Sequence, residues 1–312
     1  MGCQRALLLL AVPLFACGTA DLGSSPSGLP VNPPVTLSVF PADNPWNRDV
    51  SADPVDPRSD NYLASMGLAA GLHPDFGSFA GYGIPYVVVG GAQKRVPVVF
   101  DEADESDPGP YPIPSDAPIE GGPSSSGDRH VIVLDADRHE LYELFAAYPM
   151  PGGAWRAGSG ARWNLDSNAL RTPGFTSADA AGLPIFPGLV RADELLDRKE
   201  IRHALRFTAP HTQRAYVFPA THAASSSTDP DLPPMGLRVR LRAGFDLSGF
   251  APECQVILRA MQRYGMILAD NGSAWYVSGA SDPRFDDDAL RELGRVKGSD
   301  FEVVATGPLV TP

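Results

Sequence analysis

Short runs of β-branched and aromatic residues recur along this chain and constrain its fold most strongly. Turn-forming prolines (32) and glycines (31) separate the runs along the 312 residues. Runs of this kind, bounded by turn residues, are typical of β-strands. They cover residues 86–89, 96–100, 130–134, 140–148, 203–208, 215–218 and 237–241. The pattern predicts a mainly β fold, a single domain similar to a β-sandwich or jelly roll with a few peripheral helices.

Turn and helix signals add detail to this fold. One predicted hairpin joins residues 130–134 to 140–145, and a second joins 266–270 to 274–279 across Asn271-Gly272. Asn-Gly is the pair that best tolerates a type I′ turn. Helices are predicted from Pro252 to Tyr264, from Asp287 to Leu293 and from Asp60 to Met66, on the basis of apolar periodicity and terminal residues.

The N-terminus has the order of a secretory signal. A basic residue, Arg5, precedes an apolar run that ends at Ala16. The run is too short to span a bilayer, which takes about 20 apolar residues. Its end, Leu-Phe-Ala-Cys, resembles the lipobox of bacterial lipoproteins, which implies that a lipidated Cys17 starts the mature protein. The prediction is a signal peptide over 1–17, a flexible Gly/Ser/Pro tether over 18–36 and a globular domain over 37–312.

Charge and cysteine content limit the partners and the compartment. The formal net charge of −12 repels phosphate backbones, so a nucleic-acid partner is not expected. Contact with a membrane is expected only through the lipid, on the outer membrane or cell surface. Cys254 would be the one cysteine of the domain that follows the tether. It shares a helical face with Ile257 and Met261, which favours a small core residue over a nucleophile.

Two segments carry a resemblance to a known family. They are SADAAGLPIFPGLVRADELLDRKEIRHALRFTAPHTQRAYVFPATHA, over 177–223, and RYGMILADNGSAWYVSG, over 263–279. Together they resemble a family of uncharacterised exported bacterial proteins, some of which occur beside carbohydrate-active or adhesion-type modules. The resemblance extends from Phe40 to Val304 and implies one continuous domain. It brings no catalytic residues.

Ionisable residues on the predicted strands are the candidates for chemistry, since no GxGxxG, GxxxxGK[ST], GxSxG or HExxH motif is present. Strand alternation can bring some of them onto one concave face, although His203 and Arg206, three residues apart, point to opposite faces. The predicted catalytic residues are Glu143, as first choice for acid or base, with His203, His130 and Asp179 as partners. The predicted substrate-binding residues are Trp155, Arg206, His222 and Asp270.

Three interpretations of these residues stay open. In the first, Glu143 acts with Asp179 or Asp270 on a glycosidic bond, which takes two carboxyl groups about 5 to 9.5 Å apart. In the second, the histidines at 130, 203 and 222 converge on a metal ion. In the third, each polar group caps a strand end or lies on a solvated face.

Two loops add further hypotheses. Trp155, in the glycine-rich loop 152–168, is expected to expose an indole on which a sugar ring stacks. The acidic loop 101–107 has oxygen ligands at short spacing, which suit either Ca²⁺ or a solvated surface; no other cofactor is expected. The sequence therefore predicts a surface-anchored carbohydrate-active enzyme, a glycoside hydrolase or polysaccharide lyase acting on a polysaccharide. The alternatives are a non-catalytic carbohydrate-binding or adhesion protein and a structural envelope protein.

Overall fold

The computed structural model describes residues 31–79 and 81–312, and in this part of the chain sheet outweighs helix. The predicted signal peptide, its Cys17 and most of the tether lie outside the described residues. Within the described ranges, no helix has both the length and the apolar character needed to cross a bilayer. The prediction of a mainly β chain with few helices is confirmed.

Three α-helices form where the sequence predicted them: α1 (Ser59–Met66), α2 (Pro252–Arg263) and α3 (Asp287–Leu290). Helix α2 starts at Pro252, whose missing N–H is not needed in the first turn, and it buries Cys254 as expected. Helix α3 starts after Asp286, whose carboxylate accepts hydrogen bonds from the backbone N–H groups of Asp288 and Ala289.

The remaining helical segments of the described chain are short. A π-helical turn covers Asp193–Arg198. Short 3₁₀ turns cover Ala103–Glu105, Pro151–Gly153, Phe186–Gly188, Arg291–Arg295 and Gly298–Asp300.

The largest sheet has six strands and mixes parallel with antiparallel pairs. Its strands are β1 (His73–Asp75), β9 (Leu205–Ala209), β10 (Arg238–Leu241), β11 (Met266–Asn271), β12 (Tyr276–Ser278) and β13 (Phe301–Val303). They follow the order β1-β12-β9-β11-β10-β13. Strand β9 is parallel to β11 and antiparallel to β12, so it lies between the two strands of the predicted Asn271-Gly272 hairpin. That hairpin prediction is wrong, because both of its strands pair with β9, which lies 61 to 70 residues earlier in the chain.

The second sheet has four strands, in the order β2-β4-β5-β8. They are β2 (Tyr86–Val89), β4 (Val131–Asp135), β5 (Glu140–Phe145) and β8 (Ser159–Asn164). Strands β4 and β5 form the predicted hairpin, with Val131 opposite Leu144 and Asp135 opposite Glu140. A third sheet has the order β3-β7-β6 and contains β3 (Val98–Phe100), β6 (Tyr148–Pro149) and β7 (Trp155–Ala157). The run 215–218 forms isolated bridges at Tyr216 instead of the predicted strand.

The four-stranded sheet buries both of its faces. Ile132 and Leu134 belong to the larger apolar cluster, shared with the six-stranded sheet, whereas Val131 and Val133 belong to a smaller cluster shared with β3 and β7. Successive strand residues point to opposite faces, so β4, apolar at each of its first four positions, can serve two cores at once. This sheet is therefore the central layer, between the six-stranded and the three-stranded sheets.

The start of the described chain packs against the domain. Val35 is buried in the larger cluster, and its backbone N–H donates to Asp193 (3.2 Å). The side chain of Asn32 is also buried and donates to the carbonyl of Ser281 (2.7 Å). The tether predicted to extend to residue 36 therefore gives way to packed structure by Asn32, because a buried valine and a paired amide fix this segment.

Candidate functional site

A groove of about 610 Å³ opens where the four-stranded sheet meets the six-stranded sheet. From the four-stranded side come His130, which directly precedes β4, and Phe145, at the end of β5. From the six-stranded side comes Asp270, in β11. The loop 176–180 lies between them and contributes Asp179. The structure thus brings together three of the predicted site residues, His130, Asp179 and Asp270, at one solvent-accessible groove, and a fourth, Arg206, is hydrogen-bonded to the two aspartates.

Arg206 holds the acids at the base of the groove. Its buried guanidinium donates two hydrogen bonds to Asp179, from Nε (2.9 Å) and from Nη2 (2.7 Å). The same Nη2 donates to Asp270 (3.3 Å), and Nη1 donates to the hydroxyl of Ser278 (2.6 Å). A planar guanidinium is well suited to bind a carboxylate through two parallel hydrogen bonds. These bonds fix the orientation of the Asp179 carboxylate relative to Arg206.

A β-bulge places Asp270 on the same face as Arg206. Arg206 pairs with Ile267 and Phe207 pairs with Leu268, but Thr208 pairs with Asp270, so Ala269 is the extra residue. In a regular ladder Ala269 would stand opposite Thr208 and Asp270 would point to the other side of the sheet. The bulge therefore re-aims Asp270 into the groove, as bulges do next to functional sites.

Burial and a neighbouring charge alter the titration of Asp270. Loss of water raises the pKa of this carboxyl, and the negative charge of Asp179 raises it further. The guanidinium of Arg206 and the N–H of Asn271 oppose this effect, and the resulting pKa is about 6. Asp270 keeps contact with solvent, since its side chain is 29% exposed. A carboxyl group of this kind can hold a proton in mildly acidic solution and still reach a ligand.

His130 carries a positive charge on the wall of the groove. Its Nδ1 lies 2.6 Å from a carboxylate oxygen of Glu120, and its Nε2 lies 3.0 Å from the carbonyl oxygen of Ala178. Both neighbours are acceptors, so both ring nitrogens act as donors and the ring is an imidazolium. Burial alone would lower the pKa of His130, but the Glu120 carboxylate outweighs it and raises the pKa to about 9.

Glu143, the predicted acid or base, does not reach the groove. It is fully buried, and its carboxylate accepts hydrogen bonds from the backbone N–H groups of Ile185 (2.9 Å) and Phe186 (2.8 Å). Burial raises the pKa of Glu143 to about 7, against the lowering effect of these N–H groups. Glu143 and Phe145 are two residues apart in β5, so their side chains point to the same face of the sheet. Phe145 is at the exposed end of the strand, whereas Glu143 is buried. Its position contradicts direct contact with a substrate and makes it an anchor for the 185–186 turn.

The other predicted residues separate into two places. His203 is buried and bonds Glu194 (3.0 Å) and the carbonyl of Ala204 (2.8 Å), away from the groove-lining residues. His222 donates from Nδ1 to the carbonyl of Ala180 (2.7 Å), so it braces the loop that carries Asp179. The histidines at 130, 203 and 222 therefore do not form the metal centre considered from the sequence.

Trp155 is also not where the sequence placed it. The indole is only 3% exposed and packs in the smaller apolar cluster, so it offers no stacking surface to a sugar. Strand pairing explains this, because Trp155 begins β7 and pairs in parallel with Val98. Phe145 takes that place in the groove, with 37% of its surface exposed and its ring 5.8 Å from that of His130.

Three carboxylates of the acidic loop 101–107 each bond a different residue, and they do not converge as the ligands of a Ca²⁺ ion would. Asp101 bonds Arg156 (2.8 Å), Glu105 accepts from the N–H of Thr176 (3.1 Å), and Asp107 bonds Arg171 (2.7 Å). Across residues 31–79 and 81–312, ligand atoms of three or more residues come together as a possible metal set at a different place, Glu120, Asp128 and His130.

Glu120, Asp128, Phe145 and Ser278 are functional candidates that sequence reasoning missed. Asp128 is only two residues from His130, so the sequence alone could have indicated that the two side chains lie close together. Glu120 lies in a proline- and glycine-rich loop without periodicity, and only the fold brings it to His130.

Comparisons with protein-family models, with curated proteins and with solved structures found no match to this chain.

Proposed function

We propose that this protein is an exported, lipid-anchored glycoside hydrolase that binds a polysaccharide in the groove and cleaves it there. The observation that carries the proposal is the bonding of Asp270 to the Arg206–Asp179 pair at the base of the groove (3.3 Å to Nη2). A glycosidic oxygen needs a proton donor within hydrogen-bond reach, and Asp270 is the groove carboxyl whose pKa, about 6, suits that task.

The charge of the groove favours a hydrolase over a lyase. Four acids with exposed or part-exposed side chains line it, Asp101, Glu102, Asp128 and Asp270, and they outnumber the one cation that the described residues contribute to the lining, His130. Among the described residues, no lysine or arginine is part of the lining. A lyase substrate carries a uronate carboxylate, which this surface would repel. A neutral or amino-substituted glycan meets no such penalty, and the exposed ring of Phe145 offers it an apolar face.

The two aspartates at the base of the groove take different roles. Asp270 acts as the general acid. Asp179 has no exposed side-chain surface and is fully engaged by Arg206, so it is a positioning residue. The second carboxyl group of a glycosidase comes from the more exposed acids of the groove, Asp101 or Glu102. Its separation from the acid decides whether the anomeric configuration is retained or inverted.

A polysaccharide panel tests the activity. The purified domain is incubated with neutral, amino-substituted and uronate-containing polymers, and new reducing ends and unsaturated products are measured. Asp270→Asn should lower the rate of reducing-end release at least about 100-fold, the contribution of a general acid. Asp116→Asn, at an exposed acid outside the groove, is the matched control. Unsaturated products would show a lyase instead.

The runner-up is a non-catalytic carbohydrate-binding or adhesion protein. The burial of Glu143 and Trp155 favours it, since both were expected to contact substrate. Retention on a polysaccharide gel without any product would establish this alternative. A structural envelope protein would give neither retention nor product.

The anchoring proposal rests on residues 1–17, whose sequence resembles a lipoprotein signal. In a bacterial host, the protein should fractionate with membranes and incorporate labelled fatty acid. Cys17→Ala should abolish the label, whereas Cys254→Ala should not, because Cys254 is buried in the domain. Label that persists in Cys17→Ala would contradict the proposal.

We also propose that the four-stranded and three-stranded sheets form the sandwich-like part of the fold. The smaller apolar cluster supports this, since it combines Val133 and Leu144 of one sheet with Trp155 and Ala157 of the other. The parallel pairs β2–β4 and β3–β7 set this arrangement apart from an antiparallel jelly roll.

A further inference from the structure

We infer that Glu120, Asp128 and His130 form a binding site for one divalent transition-metal ion, such as Zn²⁺, at the wall of the groove. Each residue offers one ligand atom, and the three atoms lie within 4.8 Å of one another. Two carboxylates and one imidazole are a donor set that Zn²⁺ accepts. The inference concerns the proposed active groove, but it stands on these contacts and not on the hydrolysis of a glycan.

The three side chains are arranged as metal ligands commonly are. The Nδ1 of His130 faces the Glu120 carboxylate (2.6 Å), while its Nε2 faces the carbonyl of Ala178 (3.0 Å). A metal-binding imidazole usually donates its other N–H to a carbonyl or carboxylate, which fixes the ring. The Ala178 carbonyl supplies that second contact, so the ring is already oriented with Nδ1 toward the acids. An ion bound at Nδ1 would replace the proton that His130 donates to Glu120, and that proton would be released to solvent.

The third ligand is free to close the site. In a tetrahedral site with bonds of 2.0–2.1 Å, neighbouring ligand atoms are about 3.3 Å apart. Asp128 is exposed, and among the described residues its carboxylate accepts no hydrogen bond. A rotation of this side chain therefore brings its oxygen to the required spacing without breaking a hydrogen bond to any residue that the structure describes. Glu120 is half-buried and already held by the N–H of His130 (3.2 Å).

The location distinguishes a functional site from a structural one. Asp128 and His130 line the groove, so an ion bound by three protein ligands would keep its remaining position open to a ligand there. Three protein ligands with one open position are the arrangement of catalytic zinc sites, whereas structural sites are closed by four. The carboxylates of loop 101–107 show no such convergence, because each bonds a different partner.

Calorimetry of the full domain, freed of metal with a chelator, tests the inference. Titration with Zn²⁺ should show one site per chain. Asp128→Asn should weaken the affinity at least about 10-fold, and because Asp128 is exposed the variant should keep its fold. Glu102→Gln, an exposed acid of the same groove outside the three ligands, should bind Zn²⁺ as the native protein does.

Two further measurements make the result decisive. Zn²⁺ should raise the unfolding temperature of the native protein, since an ion that binds only the folded state stabilises it, and should raise that of Asp128→Asn less. Absence of binding, or equal affinity in Asp128→Asn and the native protein, overturns the inference. Zn²⁺ binding without cleavage of any polysaccharide would leave the metal site established and the proposed hydrolase refuted.

Discussion

Arg206 and Asp179 form a buried bidentate pair, with Nε–Oδ2 and Nη2–Oδ1 separations of 2.9 and 2.7 Å. Neither side chain is more than 6% exposed. The pair joins strand β9 to the loop that lines the groove, so it links the largest sheet to the candidate site. Because both charges have left water, each depends on the other for its stability in the fold.

Replacement of Arg206 by methionine should destabilise the protein by about 3–5 kcal/mol, because it leaves the Asp179 carboxylate buried without its partner. Urea unfolding measures this free energy. Arg156→Met is the matched control, since Arg156 pairs with Asp101 at the surface and its loss should cost less than about 1 kcal/mol. The double variant Arg206→Met/Asp179→Asn should recover part of the loss. Equal effects at the two arginines would contradict the buried-pair interpretation.

Glu143→Gln should change how stability depends on pH. Burial raises the folded-state pKa of Glu143 from 4.5 to about 7, so the folded state holds the proton more tightly than the unfolded chain. The free energy of unfolding of the native protein should therefore fall as pH rises from 4.5 through 7.

The Glu143→Gln variant should lack the Glu143 part of this decline. His130, with its pKa raised from 6.5 to about 9, still contributes a decline above pH 6.5 in both proteins. Asp270, with its pKa raised from 3.8 to about 6, still contributes below that pH in both proteins. Denaturant unfolding of both proteins at pH 5, 6, 7 and 8 separates Glu143 from the other two groups. Parallel curves for the native protein and the variant would show that Glu143 does not titrate in this range.

In the Glu194→Gln variant, the free energy of unfolding should fall less in acid than it does in the native protein. Burial would raise the pKa of Glu194, but Arg191 and then His203 outweigh it and lower the pKa from 4.5 to about 2. The native protein should lose this contribution as pH falls from 4.5 through 2.

At neutral pH the Glu194→Gln variant should be less stable by about 3–5 kcal/mol, because the buried guanidinium of Arg191 loses its carboxylate partner and the ring of His203 loses its acceptor. The difference from the native protein should shrink toward pH 2. Glu200→Gln is the control, since Glu200 pairs with Arg202 at the surface. Its effect should stay below about 1 kcal/mol at every pH. A difference that persists at pH 2 would contradict the assignment.

Phe145→Ala should weaken binding of a glycan about 2- to 12-fold. The exposed ring lines the groove, and an aromatic stacking contact contributes about 0.5–1.5 kcal/mol. Retardation in polysaccharide gels measures the affinity. Phe79→Ala is the matched control, because Phe79 is 68% exposed and lines a different groove. Equal retardation of both variants would place the glycan elsewhere.

Local chemistry in the sequence determined the elements. Proline at the start of α2, the apolar face of that helix and the acidic start of α3 predicted the helices, and the β4–β5 hairpin followed from a short turn between two apolar runs. These features depend on residues close in sequence, so they can be identified without the fold. Residue type also led to the choice of residues 130, 179, 206 and 270 as candidates, and the structure places these four at or directly beneath one groove.

Only the tertiary structure decided which polar groups meet and which face water. The insertion of β9 between β11 and β12 replaced a predicted hairpin, and the bulge at Ala269 turned Asp270 toward Arg206. Alternation is a period of two, so one extra residue reverses the face of every residue after it. The same dependence on long-range pairing buried Glu143 and Trp155, because neighbours distant in sequence set the depth of a strand residue. The loop between Glu120 and His130 has no periodic pattern, so only the fold showed that it brings these two residues together.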